Sequence, residues 1–146
     1  MLTAYSRLQI ILDETPARLQ AFTNVAATEK PAENKWSKKE ILGHLIDSAS
    51  NNHQRFVRMQ IDESITLPKY QQDDWVIIQQ WQQRDWKDIV ELWQILNQHI
   101  LHIFSCIDES KLSNTITLGN ATYTLQFIVD DYVDHILHHL KQIFTA

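Results

Sequence analysis

Two histidines four residues apart stand near the end of the chain, at His135 and His139. Successive residues of an α-helix turn by about 100°, so both side chains project from one helical face, one turn apart. Their imidazole nitrogens could bind one metal ion, but a catalytic metal usually needs a third protein ligand and an open position. A histidine pair at this spacing also occurs without metal, and His138 is expected to point toward solvent.

A third histidine, His44, lies within a row of polar side chains on another predicted helix. Two interpretations of this row remain open: it lines a wet pocket inside the fold, or it faces solvent while the opposite apolar face supplies the core. Periodicity alone does not choose between them. The polar row contains Glu40, His44, Ser48, Asn51, Asn52, Arg55 and also Met59, and the opposite face contains Leu42, Leu45, Ile46, Ala49, Phe56 and Val57.

His53, His99 and His102 are expected to be interfacial or exposed, although His99 and His102 could form a second pair. Two common site types are unsupported. The other helices carry no Glu-x-x-His motif, which argues against a carboxylate-bridged di-iron bundle. The sequence has no Gly-x-Ser-x-Gly elbow, which argues against a serine hydrolase.

Length and composition predict one helical domain over residues 1–146. The chain contains only 2 glycines and 3 prolines, a bias that favours long helices over a turn-rich sheet. A formal charge of −5 without a basic cluster argues against nucleic acid as a partner. We expect a cytoplasmic protein with no membrane partner, because no signal peptide or bilayer-spanning apolar run is present. The single cysteine, Cys106, is predicted to be a buried helix residue.

The first half of the sequence predicts two helices. The first runs from Leu2 to about Phe22, and Pro16 predicts a kink or split near residues 14–15 because proline disfavours a helical residue before it. A polar loop follows over residues 28–34. Ser37 and Glu40 then form a capping box that starts the second helix, with Trp36 facing Ile41 as a hydrophobic staple. This helix is expected to end near residue 61, followed by a loop over residues 62–73 that covers part of a site.

The second half predicts two further long helices and a hairpin. Asp73 or Asp74 can cap a short helix, and Asp85 can cap a long one over residues 86–107. Residues 115–118 and 121–124 flank Gly119-Asn120, as expected for a small two-stranded hairpin. Thr124 can cap the last helix. Four tryptophans, Trp75, Trp81, Trp86 and Trp93, are expected to fill the core or a dimer seam, and the economical fold is an all-α four-helix bundle.

Two segments carry a resemblance to a known family. Residues 36–48, with Gly43-His44-Leu45, and residues 134–143, with His135 and His139, resemble the signature segments of the DinB/YfiT-like superfamily. The resemblance covers nearly the whole chain and includes the order of the helices. It implies an up-up-down-down-type four-helix bundle that holds a divalent metal, often nickel or zinc, through three histidines. In this sequence those ligands are His44, His135 and His139.

The resemblance also implies classes of function. Family members include S-transferases and isomerases that use a low-molecular-weight thiol, namely bacillithiol, mycothiol or glutathione, and dimers are frequent. We therefore expect a small-molecule substrate and a homodimer. Three neutral imidazoles leave a coordination position free, where a cation would stabilise a hydroxide or a thiolate. Metal-dependent hydrolysis, a non-enzymatic metal-binding or interaction protein, and structural histidines without metal are the alternatives.

Groups around the three histidines are candidates for supporting roles. Ligating histidines usually donate their second N–H to a carboxylate or carbonyl, so Asp47 and Asp131 could orient the imidazoles. Both could equally be solvated helix-face carboxylates. Arg55, Asn51 and Asn52 could recognise a carboxylate or amide of a thiol cosubstrate if their row faces the pocket.

Overall fold

The computed structural model describes residues 2–145, and four long helices dominate this part of the chain. Two short helices and a small sheet fill the connections, as do single 3₁₀ turns at Trp81–Gln83 and Glu109–Lys111. In chain order the elements are α1 (Thr3–Gln20), α2 (Asn24–Thr28), α3 (Lys38–Ile61), β1 (Ser64–Leu67), α4 (Gln72–Ile78), α5 (Trp86–Cys106), β2 (Thr115–Leu118), β3 (Ala121–Thr124) and α6 (Leu125–Thr145).

The four long helices form the predicted bundle. Helix α3 packs against α5 and α6, and α1 packs against the same two helices. The first two long helices of the chain are therefore joined mainly through the last two. This arrangement places α3 beside α6, so the two signature segments of the sequence lie in neighbouring helices.

Helix α3 begins where the capping box predicts. Glu40 N–H donates to Ser37 Oγ at 3.2 Å, and Ser37 N–H donates to Glu40 Oε1 at 3.0 Å. The Glu40 carboxylate also forms an ion pair with Lys30 at 3.0 Å. Because these contacts occupy the carboxylate at the helix start, Glu40 serves in capping rather than in the polar row that continues along α3.

Helix α1 contradicts the predicted split. It continues through Pro16 without interruption from Thr3 to Gln20. Proline removes one backbone hydrogen bond from a helix interior, and here the packing of Ile11, Leu12 and Leu19 in the core on both sides of the proline favours an unbroken helix.

Two of the predicted caps need correction. Helix α4 has its N-cap at Gln71, two residues before Asp73 and three before Asp74, so both aspartates lie in the first turn. There their charges favour the positive end of the helix without capping it. Asp85 is the N-cap of α5 as predicted, but its side chain makes no capping hydrogen bond. The side chain of Thr124 does accept from Phe127 N–H at 3.1 Å, which confirms the cap of α6.

The predicted hairpin is present and has a third strand. Strands β2 and β3 pair antiparallel around Gly119, whose φ of 63° suits glycine. Strand β1, which lies in the segment predicted as a loop, pairs parallel to β2 in the order β1-β2-β3. The sheet thus ties the segment after α3 to the segment before α6, at one end of the two helices that carry the signature histidines.

Cys106 is exposed rather than buried, because it is the last residue of α5 and its thiol lies beside His102 at the surface. Three of the four tryptophans, Trp81, Trp86 and Trp93, lie in the core as expected. Within residues 2–145, no helix combines the length and the apolar character needed to cross a membrane.

Candidate metal centre

Three histidines from two helices meet at the contact between α3 and α6. His44 lies two turns into α3 and is 1% exposed, while His135 and His139 lie one turn apart on α6 and are half-buried. The structure therefore brings together the three residues that the family resemblance implies as ligands. His138 is exposed, as expected from its position on the helix.

The nitrogens of these rings converge on one point. His44 Nε2 and His135 Nε2 are 3.1 Å apart, and one ring nitrogen from each of the three histidines lies within 4.8 Å of the others. Zinc–imidazole bonds are about 2.0–2.1 Å long, so two nitrogens on one ion are separated by at most about 4.2 Å. The His44–His135 distance of 3.1 Å falls inside that limit, whereas the 4.8 Å bound for the whole triad exceeds it by about 0.6 Å. A side-chain adjustment of that size would let all three imidazoles hold one ion.

Burial keeps the three imidazoles neutral. Desolvation, with a smaller effect from His135 and His139, lowers the pKa of His44 to about 3. Desolvation and the neighbouring histidines likewise lower the pKa of His135 to about 4. The pKa of His139 is also lowered, chiefly by burial. Neutral imidazoles present lone pairs, which suits zinc or nickel.

Gln142 fixes the orientation of His139. The two side chains are in hydrogen-bond contact through His139 Nδ1 and Gln142 Oε1, at 2.9 Å. A carbonyl oxygen only accepts, so Nδ1 carries the proton and Nε2 is left with its lone pair. Gln142 thus orients an imidazole, the role that was predicted for the carboxylates of Asp47 and Asp131. Its position three residues after His139, nearly one helical turn, was the available signal.

The two carboxylates proposed as orienting groups do not take that role. Asp47 accepts from Gln79 Nε2 at 2.7 Å and from Trp81 Nε1 at 3.3 Å, and so it tethers the segment after α4 to α3. Asp131 makes no hydrogen bond to His135. Among the described residues, Nδ1 of His44 and Nε1 of Trp93 are buried without a hydrogen-bond partner, which is uncommon in folded proteins.

Gly43, beside His44, allows an indole to pack directly on α3. A Cβ atom at Gly43 would lie 2.2 Å from Cγ of Trp81, closer than any real contact. Trp81 is 3% exposed. The glycine of the Gly43-His44-Leu45 segment is therefore explained by packing.

A polar cavity of about 160 Å³ adjoins the triad and includes His135 in its wall. The polar row of α3 therefore lines a pocket: Ser48 and Asn52 are buried at its wall, and Arg55 is half-buried. The apolar row is buried as well, apart from Val57, because α3 is surrounded on both sides. The lining residues are Ser48, Asn52, Arg55, Tyr70, Ile128, Asp131, Tyr132 and His135.

Tyr70 comes from the connection between β1 and α4, so the segment predicted to cover part of a site does contribute to it. Burial raises the pKa of this tyrosine, and the neighbouring Ser48 side chain partly opposes that rise. Tyr132 closes the inner wall and donates to Asn97 Oδ1 at 2.5 Å. No local sequence pattern indicates that Tyr70 reaches the cavity, because its position depends on the pairing of β1 with β2.

The remaining histidines lie elsewhere. His53 of α3 packs edge-on against His99 of α5, with ring centroids 5.1 Å apart, and His102 lies one turn further along α5. His99 and His102 are exposed, as expected. Among the described residues, the triad of His44, His135 and His139 is the one group whose potential ligand atoms converge.

Comparison with solved structures places this fold among known ones. YfiT of Bacillus subtilis, described as a probable metal-dependent hydrolase with an unusual four-helix bundle topology, is 20% identical with a TM-score of 0.83, over 96% of this chain and 83% of its own. YjoA, a DinB-like protein of Bacillus subtilis, is 15% identical with a TM-score of 0.66, over 98% of this chain and 87% of its own. At these identities the likeness shows the fold alone.

Sequence comparison gives the family. No curated protein matches the chain. The family model of the DinB superfamily matches residues 7–143, a range that begins in α1 and includes all three histidines of the triad. This match confirms the resemblance carried by the segments around His44 and His135. The chain therefore belongs to the DinB superfamily.

Proposed function

We propose that the protein is a metal-dependent thiol S-transferase, with His44, His135 and His139 as the ligands of a zinc or nickel ion. The observation that carries the proposal is the convergence of three neutral imidazoles at the wall of a polar cavity. Among the described residues, no carboxylate or thiol joins this group. Three ligands leave a coordination position free for a substrate.

A divalent cation at such a site supplies electrostatic stabilisation of an anion, which favours the thiolate form of a thiol at neutral pH. The chain's own residues provide the rest. Burial keeps the imidazoles unprotonated, and Gln142 holds the tautomer of His139. The ring of Trp36, centred 5.0 Å from that of His44, packs against the triad.

The proposed reaction is a nucleophilic substitution. The thiol releases its proton to the buffer, and its sulfur forms a bond to an electrophilic carbon of the second substrate. The bond from that carbon to the leaving group breaks, and the leaving group departs with the electron pair. With chlorodinitrobenzene as the electrophile, the products are the thioether, chloride and a proton.

The test is turnover of chlorodinitrobenzene with cysteine, glutathione and bacillithiol as separate thiols, with zinc-loaded, nickel-loaded and chelator-treated protein. We expect turnover that requires both metal and one of the thiols, and that is lost in the His135→Ala, His139→Ala double variant. Conversion that is the same with and without metal would refute the proposal.

Hydrolysis is the second candidate, and the likeness to YfiT favours it, because that protein is described as a probable metal-dependent hydrolase. A cation that stabilises a thiolate also stabilises hydroxide. The same preparations should therefore be assayed with activated esters and amides in the absence of thiol. Metal-dependent ester cleavage without any thiol-dependent turnover would replace the transferase by a hydrolase. Metal binding with neither activity would favour a non-enzymatic role.

A further inference from the structure

Two opposite charges in the cavity wall are left unpaired. Arg55 of α3 and Asp131 of α6 both line the cavity. Each affects the other's pKa: Asp131 opposes the lowering that burial imposes on Arg55, and Arg55 opposes the rise that burial and Asp134 impose on Asp131. Even so, the ion pairs among residues 2–145 lie elsewhere, at Arg7 with Asp134 and at Lys30 with Glu40.

The guanidinium of Arg55 has spare donors. It has five N–H groups, and the described chain offers it one long hydrogen bond, 3.5 Å from Nη1 to Asn52 Oδ1. Asn52 is buried and held in place, because its Nδ2 donates to the backbone oxygen of Ser48 at 2.9 Å. Asn52 is therefore positioned by α3 itself, and Arg55 is half-buried with most of its donors available.

On another wall of the cavity, the carboxylate of Asp131 has free acceptors. Asp131 is exposed at the cavity, and no hydrogen bond to it is found within residues 2–145. A carboxylate with free oxygens is an acceptor for ammonium groups. A cavity with a free cation on one wall and a free carboxylate on another matches a small ligand that carries both charges, and its volume of about 160 Å³ suits a head group of a few atoms.

The same cavity reaches the triad, since His135 forms part of its wall. We propose that it binds the amino-acid head group of the small thiol, with the carboxylate on Arg55 and the ammonium group on Asp131, while the sulfur lies at the triad. This inference rests on the proposed thiol function for the position of the sulfur. The head-group site itself depends only on Arg55, Asp131 and their neighbours.

The test compares four thiols by calorimetric titration of the zinc-loaded protein: cysteine with both charges, 3-mercaptopropionate with the carboxylate alone, cysteamine with the ammonium alone, and 2-mercaptoethanol with neither. We expect cysteine to bind roughly tenfold or more tightly than either singly charged thiol, since each contact is a charge-assisted hydrogen bond. Equal affinity for all four thiols would overturn the head-group site and leave the thiol function intact.

Substitutions at Arg55 and Asp131 test the contact of each residue with the head group separately. Arg55→Gln should remove the advantage of cysteine over cysteamine, Arg55→Lys should keep part of it, and Asp131→Asn should remove the advantage of cysteine over 3-mercaptopropionate. The matched controls are Arg58→Gln, an exposed arginine one turn along α3, and Asp130→Asn, which neighbours Asp131. If the controls lose discrimination to the same degree, the effect is one of general charge and the proposal is wrong.

A second arm covers the case in which no thiol binds. Alanine carries the same head group without sulfur, and its binding can be followed through the Nε–H signal of Arg55 in ¹⁵N NMR spectra of the wild-type protein. A shift of that signal, abolished by Asp131→Asn, would support the head-group site even though the thiol proposal had failed. Absence of any shift up to high millimolar alanine would overturn it.

Discussion

Helix α3 carries one histidine in each of two groups of imidazole rings. Its His44 meets His135 and His139 of α6, with ring centroids 5.0 and 4.8 Å away. Its His53 meets His99 of α5 at 5.1 Å, near His102. We call His53, His99 and His102 the outer group. By ring distance alone this group and the triad are alike, and in the sequence each contains two histidines three or four residues apart on one helix.

The two groups differ in what surrounds the rings. In the triad, three ring nitrogens lie within 4.8 Å of one another, a hydrogen bond to Gln142 fixes one tautomer, and a cavity adjoins the site. In the outer group, His99 and His102 are exposed and the nitrogens do not converge. Closeness of rings is therefore a poor criterion for a metal site. Convergence of lone pairs and burial are the features that distinguish the triad.

The largest expected effect follows from this difference. Purified protein should contain close to one equivalent of zinc or nickel, and the His135→Ala, His139→Ala double variant should contain almost none, because a single remaining imidazole is too weak a site. The matched control is His53→Ala, His99→Ala, which removes two histidines of the outer group and should keep the full metal content. Elemental analysis after gel filtration measures all three. Equal content in the wild type and the triad variant would contradict the assignment of the ligands.

A smaller effect is expected from the group that orients a ligand. Gln142→Leu removes the acceptor for His139 Nδ1–H, and loss of such a partner typically costs about 10–100-fold in metal affinity. The control is Gln126→Leu on the same helix, where the glutamine is exposed and bonded to Asp130. Competition with a chromophoric chelator gives both affinities. If Gln142→Leu matched Gln126→Leu, the tautomer of His139 would not depend on Gln142.

Local sequence signals predicted a large part of the fold. The capping box at Ser37, the turn at Gly119 and the cap at Thr124 each depend on a few neighbouring residues, and each lies where it was expected. The apolar stripes gave the four long helices for the same reason. The side of α3 that lines the cavity was left open, since α3 is buried on both sides and its periodicity carries no such information.

The features that were not predicted from the sequence depend on contacts between distant segments of the chain. Strand β1 forms by pairing with β2, 51 residues later along the chain by the register of Ser64 with Thr115. The Asp47 carboxylate accepts hydrogen bonds from Gln79 and Trp81, which belong to another segment. A prediction based on α3 alone could not include these donors and paired Asp47 with His44 instead. The spacing of His135 and His139 indicated a pair, the family resemblance implied the complete ligand set with His44, and the structure brings the three side chains together. Their binding of metal stays a prediction.

A third change acts on the triad through packing. Gly43→Ala places a methyl group where the Trp81 ring lies, and overpacking of a buried site costs about 1–3 kcal/mol. Denaturant unfolding should show this loss, together with weaker metal binding, because His44 is the next residue. In a Trp81→Leu background the same substitution should be neutral or slightly stabilising, since alanine favours helices by about 1 kcal/mol over glycine. A loss of the same size in both backgrounds would refute the packing explanation.

A dependence of stability on pH also distinguishes the triad from the outer group. In the metal-free protein the pKa of His44 is lowered to about 3 and that of His135 to about 4, whereas an unfolded histidine titrates near 6.5. The unfolded chain therefore binds more protons below pH 6.5, so the free energy of unfolding should fall as the pH drops from 6.5 toward 4 and should gain nothing from these groups above it.

The triple variant His44→Gln, His135→Gln, His139→Gln removes these titrating groups, so its stability should fall less between pH 6.5 and 5 than that of the metal-free wild type. The double variant His99→Gln, His102→Gln removes the smaller lowering that His99 imposes on the pKa of His53, so its slope should change less than that of the triple variant. Urea unfolding at half-unit pH intervals compares the three slopes, which are independent of any difference in absolute stability. Parallel curves for the wild type and the triple variant would mean that burial does not hold the triad in its neutral form. The lone pairs would then have to be freed by the metal itself, at a cost in affinity that grows as the pH falls.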